Sequence, residues 1–180
     1  MKRLILFRHA KSDWDDPVAR DFDRPLNRRG EKAAIVMGEF AKARAMRFDM
    51  VVASPAVRVV ETLDSFFIGY GEVIDPHWDR RIYLASAPTL FDVIRDLPDS
   101  AAHVLMSGHN PGLEELILDL VPDNGASTLR EDVEVKFPTA SIAVMELPID
   151  HWSEAKPNIA TLASFTRPRD LDPALGPGSR

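Results

Sequence analysis

Three short apolar runs, each leading straight into charged or hydrogen-bonding side chains, limit what this chain can fold into. They are Leu4-Ile5-Leu6-Phe7, Met50-Val51-Val52-Ala53 and His103-Val104-Leu105-Met106. Each is too short for a helix and lacks polar alternation, the pattern of a strand buried on both faces. Helical stretches lie between them. Asn27 can cap a helix running to about Met46, with Ala33, Val36, Met37, Phe40 and Ala41 on one stripe. Ser54-Pro55 opens a second, with Ser as cap and Pro at the first position, running to about Gly69. Further helices are expected over 87–96, after Ser86, and from Pro111 to near Leu120. Shorter strands are expected over 72–76, 139–147 and 159–165, and a polar loop over 13–25. Strands buried on both faces need helices on both sides. The alternation therefore predicts an α/β fold, a three-layer α/β/α sandwich with a mainly parallel central sheet.

The chain has 180 residues, which suits one domain, expected over 1–171. Pro and Gly accumulate from Arg167 onward, so 172–180 is expected to be a flexible tail. Hydrophobic residues make up 45%, enough for a core without staples. No run of about eighteen apolar residues occurs, so no membrane span or membrane partner is expected. The basic-then-apolar start is too short for a signal peptide and is interrupted by Arg8 and His9. With no Cys there is no disulfide, thiol nucleophile or cysteine metal site, and a cytoplasmic location is the simplest expectation. A net charge of −6 argues against nucleic-acid binding through a general basic surface. Within that acidic chain the cations are 16 Arg and 6 Lys. Arg suits bidentate recognition of phosphate or carboxylate, though such usage equally reflects genome composition.

The first apolar run leads into Arg8-His9. The second leads into Ser54-Pro55 and then Arg58, in the first turn of its helix. The third leads into Ser107-Gly108-His109-Asn110. Ligands of open α/β sheets bind beyond the carboxyl ends of the strands, so these segments can converge on one pocket. Two Arg and two His above helix N-termini suit a dianion, and a phosphoryl group is the natural candidate. Each segment alone is a common turn or surface feature. The signal lies in their conjunction.

Leu4-x-x-x-Arg8-His9-Ala10-Lys11-Ser12 resembles the signature of the histidine phosphatase superfamily, and the Ala-Lys-Ser form resembles its SixA-type phosphohistidine phosphatases. The resemblance continues through Asp23-Arg24-Pro25-Leu26-Asn27, Ser54-Pro55-Ala56-Val57-Arg58, Tyr83-Leu84-Ala85, Gly108-His109-Asn110-Pro111-Gly112 and Phe165-x-x-Pro168-Arg169-Asp170-Leu171, nearly the whole chain. It implies a phosphoglycerate mutase-like sandwich and a two-step phosphoryl transfer. His9 would be the nucleophile, Arg8 and Arg58 would clamp the phosphoryl oxygens, and His109 would donate to them. Lys11, Ser12 and Asn110 would line the substrate site.

No cofactor is expected, and no metal, since His9, His77, His103, His109 and His151 form no compact ligand motif. The expected partner is phosphate or a phosphohistidine-bearing protein, with the oligomeric state left open. Adjacent Arg charges should keep His9 neutral, with a partner on its other ring nitrogen that the sequence does not reveal. No general acid stands out. Asp21, Glu61 and Asp79 are conceivable, and Glu61, one turn beyond Arg58, is expected to orient that Arg. A missing acid suits an imidazole leaving group better than an alkoxide. Few residues remain for a lid, so a shallow open site is expected, with Trp14 either on its rim or packed.

Overall fold

The computed structural model describes residues 1–17 and 20–176. Six strands, β1 (Lys2–Arg8), β2 (Met50–Ala53), β3 (His77–Trp78), β4 (His103–Gly108), β5 (Ile142–Leu147) and β6 (Thr161–Thr166), form one sheet in the order β3-β2-β4-β1-β5-β6. The β1–β4, β2–β4 and β2–β3 pairs are parallel, and β5 is antiparallel to both β1 and β6. Only β5 therefore runs against the rest. The sheet is mostly parallel and has helices packed on both faces, the α/β/α sandwich that the sequence predicts.

Side-chain alternation in the strands builds two separate cores. From β1, Ile5 and Phe7 face one side with Val51, Leu105 and Val144, beneath α1 (Arg28–Ala43) and α2 (Val57–Tyr70). Leu4 and Leu6 face the other with Val52, Val104 and Met106, beneath α3 (Ala87–Arg95) and α4 (Gly112–Leu120). The central strands carry unbroken apolar runs, over 4–7, 50–53 and 104–106, because both faces are covered. Asn27 caps α1, its side chain accepting from Gly30 N–H.

Four expectations are corrected. The sequence's second helix begins at Val57, not at Pro55. Ser54 accepts from Ala56 N–H in a leading turn and does not cap the helix. The strand expected over 72–76 is instead the two-residue edge strand at His77–Trp78, after the left-handed Gly71 has closed α2. A helix missing from the sequence reading, α5 (Thr128–Val135), follows the Ser127 cap. It shows no apolar stripe because buried Arg130 stands where an apolar residue would, donating to the Leu118 and Val121 carbonyls at the end of α4.

Finally, the Pro/Gly-rich end is built into the fold as far as it is described. Pro168 opens α6 (Pro168–Leu171), the Arg167–Asp170 pair closes a capping box, and a 3-10 turn follows at Pro173–Leu175. Arg29 donates to the Gly176 carbonyl, and Leu175 packs against the α1–α2 core. Of the tail expected over 172–180, residues 177–180 lie outside the described residues. No described helix is long and apolar enough to cross a membrane.

Candidate active site

Parallel pairing of β1 with β4 brings the two histidines together. Arg8 is in register with Gly108, and His9 N–H donates to the Gly108 carbonyl at 3.0 Å. His9 and His109 then leave the sheet side by side, ring centroids 5.4 Å apart. On the other side of β4, Ser54 N–H donates to the Ser107 carbonyl at 3.1 Å, which sets Ser54 beside His109. Arg58 enters from the first turn of α2. Arg8, His9, Arg58 and His109 all line one cavity of about 740 Å³. A cavity of that size has room for a small molecule as well as for a phosphorylated side chain. The chain end from Arg167 to Gly176 supplies one of its walls.

The tautomer of His9 is fixed. Its Nδ1 lies 2.7 Å from the Ala10 carbonyl oxygen, which can only accept, so Nδ1 carries the proton and Nε2 the lone pair. Burial pushes the His9 pKa down to about 3. The bond to Ala10 opposes this, and Arg8, His109 and Arg58 add to it. His109 is likewise pushed to about 3, first by burial and then by Arg58, against the opposing charge of Asp21. Its Nε2 lies 2.8 Å from Ser54 Oγ. That oxygen also accepts from Ala56 N–H, and when it donates its own hydrogen to Nε2 the ring proton stands on His109 Nδ1. Nδ1 is buried and has no partner among the described residues, so in that tautomer it is a donor awaiting an acceptor.

Backbone contacts lock this arrangement. Thr62 Oγ1 accepts from Ala10 N–H at 2.9 Å and donates to the Arg58 carbonyl, tying the His9 loop to the helix that carries Arg58. Ala140, in the left-handed region, shares its N–H between the Arg8 and His9 carbonyls at 3.1 and 3.0 Å. A Cβ at Gly30 would stand 2.2 Å from the Lys11 carbonyl oxygen, so only glycine lets α1 pack against this loop.

The two arginines are held differently. Arg58 is buried, its guanidinium gripping Asp21 through the backbone carbonyl at 2.9 Å and Oδ2 at 3.0 Å. Arg8 Nη1 donates to the Phe137 carbonyl at 3.0 Å, and burial lowers its pKa, with Glu114 opposing. In both, Nε is buried without a partner among the described residues.

Of the other residues expected at the site, Lys11, Ser12 and Asn110 all line the cavity. Lys11 is exposed at its rim. Ser12 Oγ is engaged by Arg24, and Asn110 bridges the Phe137 carbonyl and Glu114 N–H.

The three carboxylates considered as acids are all committed elsewhere. Glu61 accepts from Leu26 N–H at 2.8 Å, so it anchors the 24–27 segment. The expectation that it orients Arg58 is corrected, since Asp21 does that. Asp79 caps a 3-10 turn and pairs with Arg81. Burial works to raise the Asp21 carboxyl. Hydrogen bonds from Arg24, Tyr83 and Arg58, together with the Arg58 charge, prevail and hold it well below the usual carboxylate range.

The lining also contains cations that the sequence reading did not single out. To Arg8, Lys11 and Arg58 it adds Arg24, Arg29, Lys136, Arg167 and Arg169, eight in all, against one described acid, Asp21. In a chain of net charge −6 this is a strong local reversal. Arg24 and Arg169 stood inside the motifs quoted above, but nothing in their spacing marked them as facing the same cavity. Ser54 was read as a cap because its pairing with His109 is a contact between separate segments.

Comparison with known proteins agrees with this geometry. The model of the histidine phosphatase superfamily (branch 1) matches residues 4–80. An uncharacterised protein of Mycobacterium tuberculosis is 33% identical over 163 residues, 90% of this chain and 99% of that protein. The chain belongs to the histidine phosphatase superfamily. Within the superfamily it is SixA-like. The structure of an Agrobacterium tumefaciens protein, provisionally named phosphohistidine phosphatase SixA, is 28% identical, with a TM-score of 0.75 over 92% of this chain and 97% of that one. A structure of the protein histidine phosphatase SixA complexed with tungstate shares the fold, with a TM-score of 0.76 at 20% identity over 94% and 99% of the two chains.

Proposed function

We propose that this phosphatase removes the phosphoryl group from phosphohistidine on a protein, in the cytoplasm, through a covalent intermediate on His9. The observation that carries the reading is the His9 imidazole, buried and neutral, with Nδ1–H held by the Ala10 carbonyl and Nε2 unpartnered among the described residues. Nε2 attacks phosphorus, a new N–P bond forms, and the bond to the leaving group breaks. Arg8 and Arg58 hold the non-bridging oxygens, and His109 Nδ1–H donates to one of them. The arriving dianion offsets the burial and Arg58 charge that depress the His109 pKa, so the imidazole gains a proton as the phosphoryl group binds. Water then attacks the phosphoenzyme, the His9–phosphorus bond breaks, and inorganic phosphate and neutral His9 result.

The leaving group follows from the acids. The one carboxylate among the described lining residues, Asp21, is held ionised and has no proton to give. An alkoxide leaving group needs that proton. A phosphoimidazole protonated on its distal nitrogen departs as neutral imidazole and does not.

The cavity volume favours a second reading, a phosphatase of small phosphomonoesters. Parallel assays of a histidine-phosphorylated domain and a panel of monoesters separate the two. Release of phosphate from the domain at the higher kcat/KM is expected, with a labelled phosphoenzyme trapped on acid-free quenching. Monoesters turned over faster by orders of magnitude would overturn the protein-substrate reading.

A further inference from the structure

Other residues lining the cavity carry charge that the chemistry leaves unused. Lys136 follows α5, and Arg167 and Arg169 flank Pro168 at the start of α6. Arg167 pairs with Asp170, whereas among the described residues no carboxylate pairs with Lys136 or Arg169, and both are exposed. The same rim displays apolar side chains that a soluble surface normally hides. Trp14 is 77% and Leu84 55% exposed, and both line the cavity. Trp14 is held in place by the Arg24 guanidinium, 3.6 Å from its ring centroid. Leu84 is held in the left-handed region at φ 48°, a conformation unusual for a leucine and one found at ligand clamps.

We propose that this rim is a docking surface for the acidic face of a folded phosphoprotein. Lys136, Arg167 and Arg169 meet carboxylates around the phosphorylated side chain, and Trp14 and Leu84 pack against its apolar part. The proposal rests on the protein-substrate reading above and adds what kind of surface that substrate must have. Charge complementarity selects the occupant. Unpaired cations crowd the mouth of the cavity in a chain that is otherwise acidic, so a basic or neutral partner gains nothing there. The spread selects a macromolecule. Cations from the α5–β5 and β6–α6 connections, with exposed aromatic and aliphatic anchors from the loops after β1 and before α3, border the opening on several sides. A small phosphate deep in the clamp leaves the exposed anchors uncovered. Each exposed pair contributes little alone, and the summed field acts on encounter and on KM, not on the chemical step.

The test uses the full chain and two substrates. One is a histidine-phosphotransfer domain of net negative charge, phosphorylated with phosphoramidate, in native form and with the carboxylates flanking its histidine changed to amides. The other is phosphoramidate itself, which needs only the clamp. In the variant Lys136→Glu/Arg169→Glu, KM for the acidic domain should rise about tenfold with kcat little changed. Its kcat/KM should also lose most of its fall between about 50 and 300 mM salt. Phosphoramidate turnover should stay within about twofold, which also shows that the variant is folded. The amide-substituted domain should behave with the native enzyme as the acidic domain does with the variant. Equal KM values for wild type and variant on the acidic domain would overturn the docking surface while leaving the protein-substrate reading intact. So would a parallel loss on both substrates. Failure of the wild type to dephosphorylate the domain while consuming phosphoramidate would sink the protein-substrate reading, and the docking surface with it.

Discussion

The clamp and the rim share one cavity and are built in opposite ways. Arg58, His9 and His109 are buried, their positions fixed by parallel strand register, by Thr62 and by carbonyls that can bond in only one sense. Lys136 and Arg169 are exposed and end in solvent. The clamp sits on central strands fixed from both faces. The rim sits on connections between elements and on the short α6. Groups that act on a transition state need positions fixed to a fraction of an ångström, and only the packed middle of a sheet supplies them. Groups that attract a partner need only charge and reach.

The contrast is tested most severely at the nucleophile. His9→Ala should lower phosphate release by about 10⁴-fold or more and abolish the trapped phosphoenzyme, since the other neutral imidazole lining the cavity, His109, has its Nε2 engaged with Ser54 Oγ and its Nδ1 buried. Substantial turnover by that variant would remove the basis for treating the clamp as catalytic. Arg58→Lys comes next. It keeps the charge but loses the planar fork that holds Asp21 and the phosphoryl oxygens together, and kcat should fall by about 10²–10³. A comparable loss in kcat from a rim charge would mean that the two regions are not distinct.

Much of the clamp was legible because it is written at strand ends. Apolar runs followed by Arg8-His9 and by Ser107-Gly108-His109 identify both the sheet and its ligand-binding edge. Arg58 was legible for the same reason. The rim was not. Arg29, Lys136 and Arg167 are ordinary surface residues in sequence, and only the folding together of separate segments brings them to one cavity. Pro and Gly near an end read as disorder, yet here Pro168 starts a helix and Arg29 holds the Gly176 carbonyl. The partners of Glu61 and Asp21 were hidden for a related reason. Spacing on one helix suggested Glu61 for Arg58, while the actual partner comes from a 3-10 turn far away in sequence.

Acid should separate the buried imidazoles from the exposed one. Unfolded, each histidine titrates near about 6.5, whereas His9 and His109 in the fold titrate near about 3. Between those values the unfolded chain binds more protons, so stability rises with pH there. The contribution is intact above about pH 6.5 and is lost as pH falls, roughly 2 kcal/mol per histidine at pH 5. His151 has the opposite sign, because its bond to Asp99 raises its pKa, and any stabilisation it gives fades as pH rises through that value. Imidazole NMR should show His151 protonating at a higher pH than an ordinary histidine, with His9 and His109 still neutral at pH 5. A midpoint near 6.5 for either buried ring would show that the clamp is wetter than its packing implies.

A smaller effect is expected at Thr62. Thr62→Val keeps the shape but leaves Ala10 N–H buried without its acceptor, at a cost of about 1–3 kcal/mol in denaturant unfolding. Because Ala10 also holds His9 Nδ1, kcat should fall with it, and Thr62→Ser should restore both. Loss of stability with kcat unchanged would separate the loop from the nucleophile it is argued to position.

The smallest expected effect is at Asp79, and it bears on the leaving group. If a carboxylic acid protonated the leaving group, Asp79 would be a candidate by chain order alone. Its oxygens are instead taken by Arg81, through backbone N–H and guanidinium, and hydrogen bonding to Arg81 holds its carboxyl below the ordinary range. A proton-free carboxylate tied to a turn outside the cavity lining cannot serve as a general acid at neutral pH. Asp79→Asn should therefore leave kcat for a phosphohistidine domain within about twofold, because an imidazole protonated at its distal nitrogen needs no acid. A large loss specific to phosphomonoesters would show Asp79 acting as an acid and would favour the small-molecule reading.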